Sequence, residues 1–218
     1  MYFKNGFCYT EYMPKIVDVA ERKKAIAEAT WRVILEKGME GATVRNIAKE
    51  AGLSLGALRH YFSNQDELLV YAMDLVTENV NKRIEEVLKK SMPLQEQVLH
   101  VLLQALPVDQ QSMLEMEVWF AYIAAVKHKK EQANVPFNAL FSGMEKTIYG
   151  LSEYGFLKEG LNLDLEVERL YAAVDGLAIH ALFERERLDR DRVIRTLVYH
   201  LNSILKDEAV LKLPISDM

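Results

Sequence analysis

Thr43-Val-Arg-Asn-Ile-Ala-Lys-Glu-Ala-Gly-Leu-Ser-Leu-Gly-Ala-Leu-Arg-His-Tyr-Phe-Ser-Asn-Gln-Asp-Glu-Leu-Leu69 decides the fold. Thr43 is placed to cap a helix over Val44–Ala51, and Gly52 ends it. Ser54 caps a second short helix over Leu55–Tyr61. Two short helices joined by a turn as tight as Gly52-Leu53-Ser54 cross steeply, which is the helix-turn-helix geometry. Ile47, Ala48 and Leu53 form its inner core, with Leu58 and Phe62 behind the second helix. Ala48 and Gly52 are small where the two helices approach. Ser63 and Asp66 then form a cap pair for a long helix from about Asn64 to Lys90. Its apolar residues, Leu68 to Leu88, recur at three-to-four spacing. At 1.5 Å per residue it is about 40 Å long, enough to link two domains.

The helical pattern extends in both directions. Upstream, Asp18 and Glu21 make a capping box for a helix over Val19–Lys37, stopped by Gly38. Downstream, helices are expected over Pro93–Ala105, from Asp109 to Lys130, over Val135–Tyr154, from Asp164 to Glu186 and from Asp189 to Lys206. No segment alternates with period two over a useful length. The expected fold is all-α with about nine helices. It divides into a tail at 1–17, a helix-turn-helix head at 18–64, a helical body at 65–207 and a tail at 208–218.

Composition narrows the function. A single cysteine, Cys8, excludes an internal disulfide framework and a cysteine zinc site. No apolar run reaches the roughly 20 residues a bilayer needs, and no secretory signal is read, so a cytoplasmic protein without membrane contact is expected. The net charge of −5 is uneven: residues 1–64 carry ten basic and seven acidic side chains, leaving the excess acid in the body. A mildly basic head suits a polyanion there and nowhere else. His60, His100, His128, His180 and His200 are scattered without metal-ligand spacing. There is no Gly-rich phosphate loop and no nucleophile elbow. No catalytic residue, metal or cofactor is expected.

The segment Ala20–Leu69 resembles the DNA-binding head of the TetR family of bacterial regulators. The residues that carry the resemblance are Thr43 at the cap, Ile47-Ala48, Ala51-Gly52-Leu53-Ser54 in the turn, Gly56 and Leu58 in the third helix, Tyr61-Phe62 at its end and Asp66-Glu67-Leu68-Leu69. Physical reasoning agrees with it. A recognition helix needs a low-profile N-terminal end to sit deep in the major groove, and Gly56 and Ala57 provide one, with Leu55 available to a thymine methyl. Thr43 and Ser54 offer hydroxyls and helix N-termini to phosphates. Arg45, Arg59, His60 and Tyr61 supply longer donors. Two positions depart from the family pattern. Arg59 stands where an aromatic is common, and Gln65 stands where a lysine commonly holds a phosphate. Gln65 cannot supply that charge, so DNA affinity is expected to be weaker and less salt-dependent.

The body resembles the C-terminal domain of BetI-like members of the family at Leu106-Pro107-Val108-Asp109, Val118-Trp119 and Val174-Asp175-Gly176-Leu177-Ala178. The resemblance implies dimerisation and inducer binding. Gly176, Leu177, Ala178 and Ala181, with Leu197 and Leu201, are candidates for a homodimer interface made by the last two helices. The same residues would also serve as protomer core. Met113, Met116, Trp119, Phe120 and Ile123 form a soft, aromatic stripe that could line a ligand pocket or pack as core. Glu115 or Glu117 could then face a cation. The expected function is a homodimeric, sequence-specific repressor that a small-molecule inducer releases from its double-stranded operator. An activator of the same fold, or a helical ligand-binding or interaction protein that has lost DNA binding, remains as the alternative.

Overall fold

The computed structural model describes residues 18–126 and 137–212, and among these it contains nine α-helices and no strand. Asp18 accepts from the amides of Ala20 and Glu21 and starts α1 (Val19–Gly41). Gly38, at φ 69° and ψ 177°, breaks α1 where expected, and one further turn follows to Gly41. Thr43 caps α2 (Val44–Glu50) and Ser54 caps α3 (Leu55–Tyr61), as the sequence implies.

The cap of α4 (Gln65–Leu88) differs from expectation. Asn64, not Ser63, accepts from the Glu67 amide at 2.8 Å. Glu67 reaches back to the Ser63 amide at 2.8 Å and its hydroxyl at 2.7 Å. Asparagine caps as well as serine, and Glu67 has the extra methylene needed to close the loop, so the capping box sits one residue later.

The remaining helices are α5 (Leu94–Leu103), α6 (Gln110–Val126), α7 (Phe137–Glu153), α8 (Leu163–Phe183) and α9 (Arg190–Ile204). Asp109 and Ser112 exchange hydrogen bonds at the start of α6. Asn162 rather than Asp164 caps α8, and that helix stops at Phe183, three residues early. The stretch expected as helix beyond Val126 and before Phe137 lies outside the described residues.

Two cores organise these helices. The first joins α1–α3 and the front of α4, and it includes Val118 and Tyr122 of α6. The Trp31 indole N–H ties α1 to α4 by donating to the Ala72 carbonyl at 3.0 Å. The second core is built from α5, α7, α8 and α9. Residues 207–212, expected mostly as tail, close its far end: Ala209 and Leu211 are buried. The Asn202 side-chain amide holds both the Leu211 carbonyl and its N–H, at 3.0 and 2.8 Å. α6 therefore serves both cores, and residues 18–64 alone supply only part of the first.

Gly38 makes a clean test of the α1 stop. A Cβ there would meet nothing within 4 Å, so only backbone strain opposes one. Its dihedrals lie in a region essentially reserved for glycine, so Gly38→Ala should destabilise by roughly 1–3 kcal/mol in urea unfolding. An unchanged midpoint would show that the break relaxes freely.

Candidate functional site

The α2–α3 turn is fixed locally. Gly52 takes φ 66°, its N–H donates to Lys49, and the Leu53 N–H donates to Ala48. These two bonds are the Schellman pattern that ends a helix and turns the chain sharply. Ile47, Ala48, Leu58 and Phe62 are buried and press both helices onto α1 and α4. That packing turns the other faces outward. Thr43, Arg45, Ser54, Leu55, Gly56, Arg59 and His60 are all exposed, while Ala57, Tyr61 and Gln65 are half-buried beside them. All ten residues expected to meet DNA are thus at least partly accessible.

Their chemistry suits a phosphate backbone and base edges. The Thr43 and Ser54 hydroxyl oxygens accept from Asn46 and Ala57 amides at 3.3 and 3.1 Å. Each hydroxyl hydrogen remains to be donated. Arg45 and Arg59 have no carboxylate partner among the described residues. Arg32, by contrast, is spent on Glu50 at 2.6 Å, tying α1 to α2. Lys23 lies 5.0 Å from the Phe62 ring centre and 5.7 Å from that of Tyr71, bracing the head from behind. Leu55, 37% exposed, puts an apolar group on the first turn of α3. The His60 and Tyr61 rings meet edge-on, 5.6 Å apart.

The stripe on α6 does not line one chamber. Trp119 and Ile123 pack on the head core, Met116 packs on the body core, and Phe120 is half-buried. Met113 alone of the five borders the cleft beside the α8–α9 corner. Glu115 is 2% exposed and accepts from Arg83 at 2.9 and 3.3 Å, from Asn79 at 3.1 Å and from Gln111 at 2.9 Å. Glu117 pairs with Arg185. Glu115 is thus matched by the chain's own Arg83, Asn79 and Gln111 rather than facing a ligand cation, while Glu117 pairs with Arg185 and stays partly exposed. Nearby, burial pushes the Asp109 carboxyl up, but hydrogen bonds from Ser112 and the charge of Arg83 outweigh it and leave it below the usual carboxylate range.

The interface candidates also fall differently. Leu177, Ala178, Ala181, Leu197 and Leu201 are buried inside the protomer's own core, and Gly176 is half-buried. The outward faces of α8 and α9 instead expose Ile179, Phe183 and Tyr199, the last two at 72% and 80%. Sequence reasoning missed these three because each directly follows a residue of the buried stripe, Ala178, Leu182 and Val198, and so reads as part of the same apolar run. It missed Arg83 because its partner lies 32 residues away. Among the described residues there is no metal-binding cluster, and no helix is long and apolar enough to cross a membrane.

A helix-turn-helix head whose exposed third helix carries small residues and Arg59, joined by one long helix to a helical body, defines a DNA-binding transcriptional regulator. Comparison with known proteins gives the family. Residues 26–72 match the model for bacterial regulatory proteins of the tetR family, and residues 94–206 match that for the BetI-type transcriptional repressor C-terminal domain. The HTH-type transcriptional regulator PksA of Bacillus subtilis is 52% identical over 196 residues, 90% of this chain and 96% of that protein. A transcriptional regulator from Rhodococcus sp. Rha1 is 26% identical with a TM-score of 0.71, covering 84% of this chain and 95% of its own. A regulator from Saccharomonospora viridis in complex with choline has a TM-score of 0.76 at 20% identity, covering 86% and 99%. The chain belongs to the TetR family of bacterial transcriptional regulators.

The Glu115 site yields a stability test. Arg83→Ala strands a buried carboxylate and should destabilise by about 3–5 kcal/mol. Arg83→Met combined with Glu115→Leu removes both charges and should lose much less. Urea unfolding of the four corners of this cycle measures the coupling, and additive losses would show that the pair is not a unit.

Proposed function

We propose that the protein is a homodimeric repressor whose α3 reads operator DNA and whose body releases it when a small molecule binds. The observation that carries this reading is the exposed N-terminal end of α3. Gly56 and Ala57 give it a low profile for the major groove, Leu55 offers an apolar contact for a thymine methyl, and the Ser54 and Thr43 caps flank it with hydroxyls and helix N-termini for phosphates. Arg45, Arg59, His60, Tyr61 and Gln65 complete the surface. Two such heads in a dimer would enter successive major grooves about 34–36 Å apart. It would act in the cytoplasm, on the chromosome. The BetI-type match over the body and the choline complex of the S. viridis regulator support a small-molecule effector.

The response would run through α6. Glu115 links this helix to Arg83 and Asn79 of α4, and Val118 and Tyr122 insert it into the head core. A ligand that shifts α6 therefore shifts both supports of the head. To release DNA it must bind the released arrangement more tightly than the DNA-bound one.

The operator is first obtained by selecting bound sequences from a random DNA pool; fluorescence anisotropy then reads affinity. Thr43→Ala and Tyr61→Ala should weaken binding while circular dichroism stays native, with about 1 kcal/mol of stability lost from the Thr43 cap. Gln65→Lys should strengthen binding and steepen its salt dependence by about 0.9 in log–log slope, one extra phosphate contact. Unchanged affinity in all three would remove the interface from this surface.

For the dimer, the outer faces of α8 and α9 replace the buried residues as the contact. Phe183→Arg with Tyr199→Arg changes no core residue, so the protomer should stay folded. Sedimentation should find monomers, and operator affinity should drop sharply because two half-sites no longer bind together. A variant that stays dimeric would place the contact elsewhere.

A further inference from the structure

The surface made by α2 and α3 is poor in acid. The two helices carry Arg45, Lys49 and Arg59 and a single carboxylate, Glu50. Arg32 of α1 takes that carboxylate at 2.6 Å. Arg59 is exposed and has no carboxylate partner among the described residues. Its direction follows from helix geometry. Side chains on a helix lean toward its N-terminus and cover the turn before their own Cα. For Arg59 that turn holds Leu55 and Gly56, four and three residues back. Gly56 has no side chain to fill it, and a Cβ there would meet only the Ser54 hydroxyl oxygen, at 4.0 Å. An open lane thus runs from Arg59 to the low-profile end of α3, the end that contacts base edges in a major groove.

We propose that Arg59 is a specificity-determining residue and that it reads a guanine in each operator half-site. The inference rests on DNA binding by α3, as proposed above. The planar guanidinium donates two parallel hydrogen bonds, which fit the paired O6 and N7 acceptors on the major-groove edge of guanine. A phosphate needs no such fork, and the hydroxyls of Thr43 and Ser54 are placed for that contact. Leu55, one turn earlier on the same face, cannot hydrogen-bond. His60, the neighbouring polar residue, turns its ring edge-on to Tyr61. Arg59 therefore supplies the charged donor that reaches this end of the helix.

The test pairs wild type with Arg59→Ala, an exposed substitution that should leave circular dichroism unchanged. Each full chain selects bound sequences from a random DNA pool. Wild type should enrich a guanine in each half-site, and Arg59→Ala should lose the preference at that position alone. Fluorescence anisotropy then measures duplexes bearing each of the four bases there, and also 7-deazaguanine, which pairs normally but lacks the N7 acceptor. Arg59→Ala should bind the guanine duplex roughly 5- to 150-fold more weakly than wild type, the range for one bidentate base contact, and should bind all the duplexes alike. The 7-deaza base should weaken wild type and leave the variant unaffected. Equal weakening on every base, with the log–log salt slope reduced by about 0.9, would make Arg59 a phosphate contact and overturn the assignment. Indifference of wild type to 7-deazaguanine would overturn it too. A wild-type motif that Arg59→Ala leaves intact sinks this inference alone, whereas no enrichment by wild type sinks the DNA-binding reading with it.

Discussion

A carboxylate that is 2% exposed on a largely apolar helix has to be matched or neutralised, and most of the architecture follows from how Glu115 is matched. Its partners, Arg83 and Asn79, lie on α4, the helix that also carries the DNA-binding head. α6 cannot rotate or slide far without stranding that charge. The same helix sends Val118 and Tyr122 into the head core and rests Met116 on the body core. Head and body therefore share a structural member. A buried ion pair of this kind adds little net stability compared with an apolar replacement, because desolvation offsets the attraction. What it does impose is register: α4 and α6 meet in one arrangement unless the pair is moved as a unit.

The head was readable in the sequence because all its determinants are local. Thr43 and Ser54 each bond an amide three residues on, and Gly52 closes a turn with partners within five residues. Each signal is complete within one stretch of chain. The α4 cap shows the limit of such reading: Ser63 and Asn64 are both good caps, and only the reach of Glu67 chooses between them. The body was readable in element number and less so in which face each helix buries. Leu197 and Leu201 could belong equally to a core or an interface by pattern. Their packing against α8 and the C-terminal segment decided it. The partners of Glu115 and Glu117, 32 and 68 residues away, had no signal in any single helix.

The placement of Phe183 and Tyr199 follows from the same geometry. Once the inner stripes of α8 and α9 are committed to α5 and α7, only the opposite faces remain for another molecule. Tyrosine and phenylalanine suit that position, since each presents a large rigid area with few rotatable bonds. Gly176 sits half-buried on α8 with nothing within 4 Å of the position a Cβ would take. It leaves a shallow spot rather than a tight crossing, so an interface on this face would draw on aromatic anchors more than on small-residue contact.

Sharing α6 also bears on how far a ligand must move anything. Close-packed cores do not deform continuously; they pass between discrete arrangements. A helix that belongs to two cores and one ion-pair network can therefore hold two positions separated by small displacements. The long α4 would convert a slight change at Arg83 into a larger one at α3, because the head lies at its far end. Moving the equilibrium from one arrangement to the other by a factor of about 10⁴ needs some 5.5 kcal/mol of differential ligand affinity. One ligand in each protomer could divide that requirement, if the two heads must move together to leave the DNA. Dimerisation would then set both the spacing of the heads on DNA and the steepness of their release.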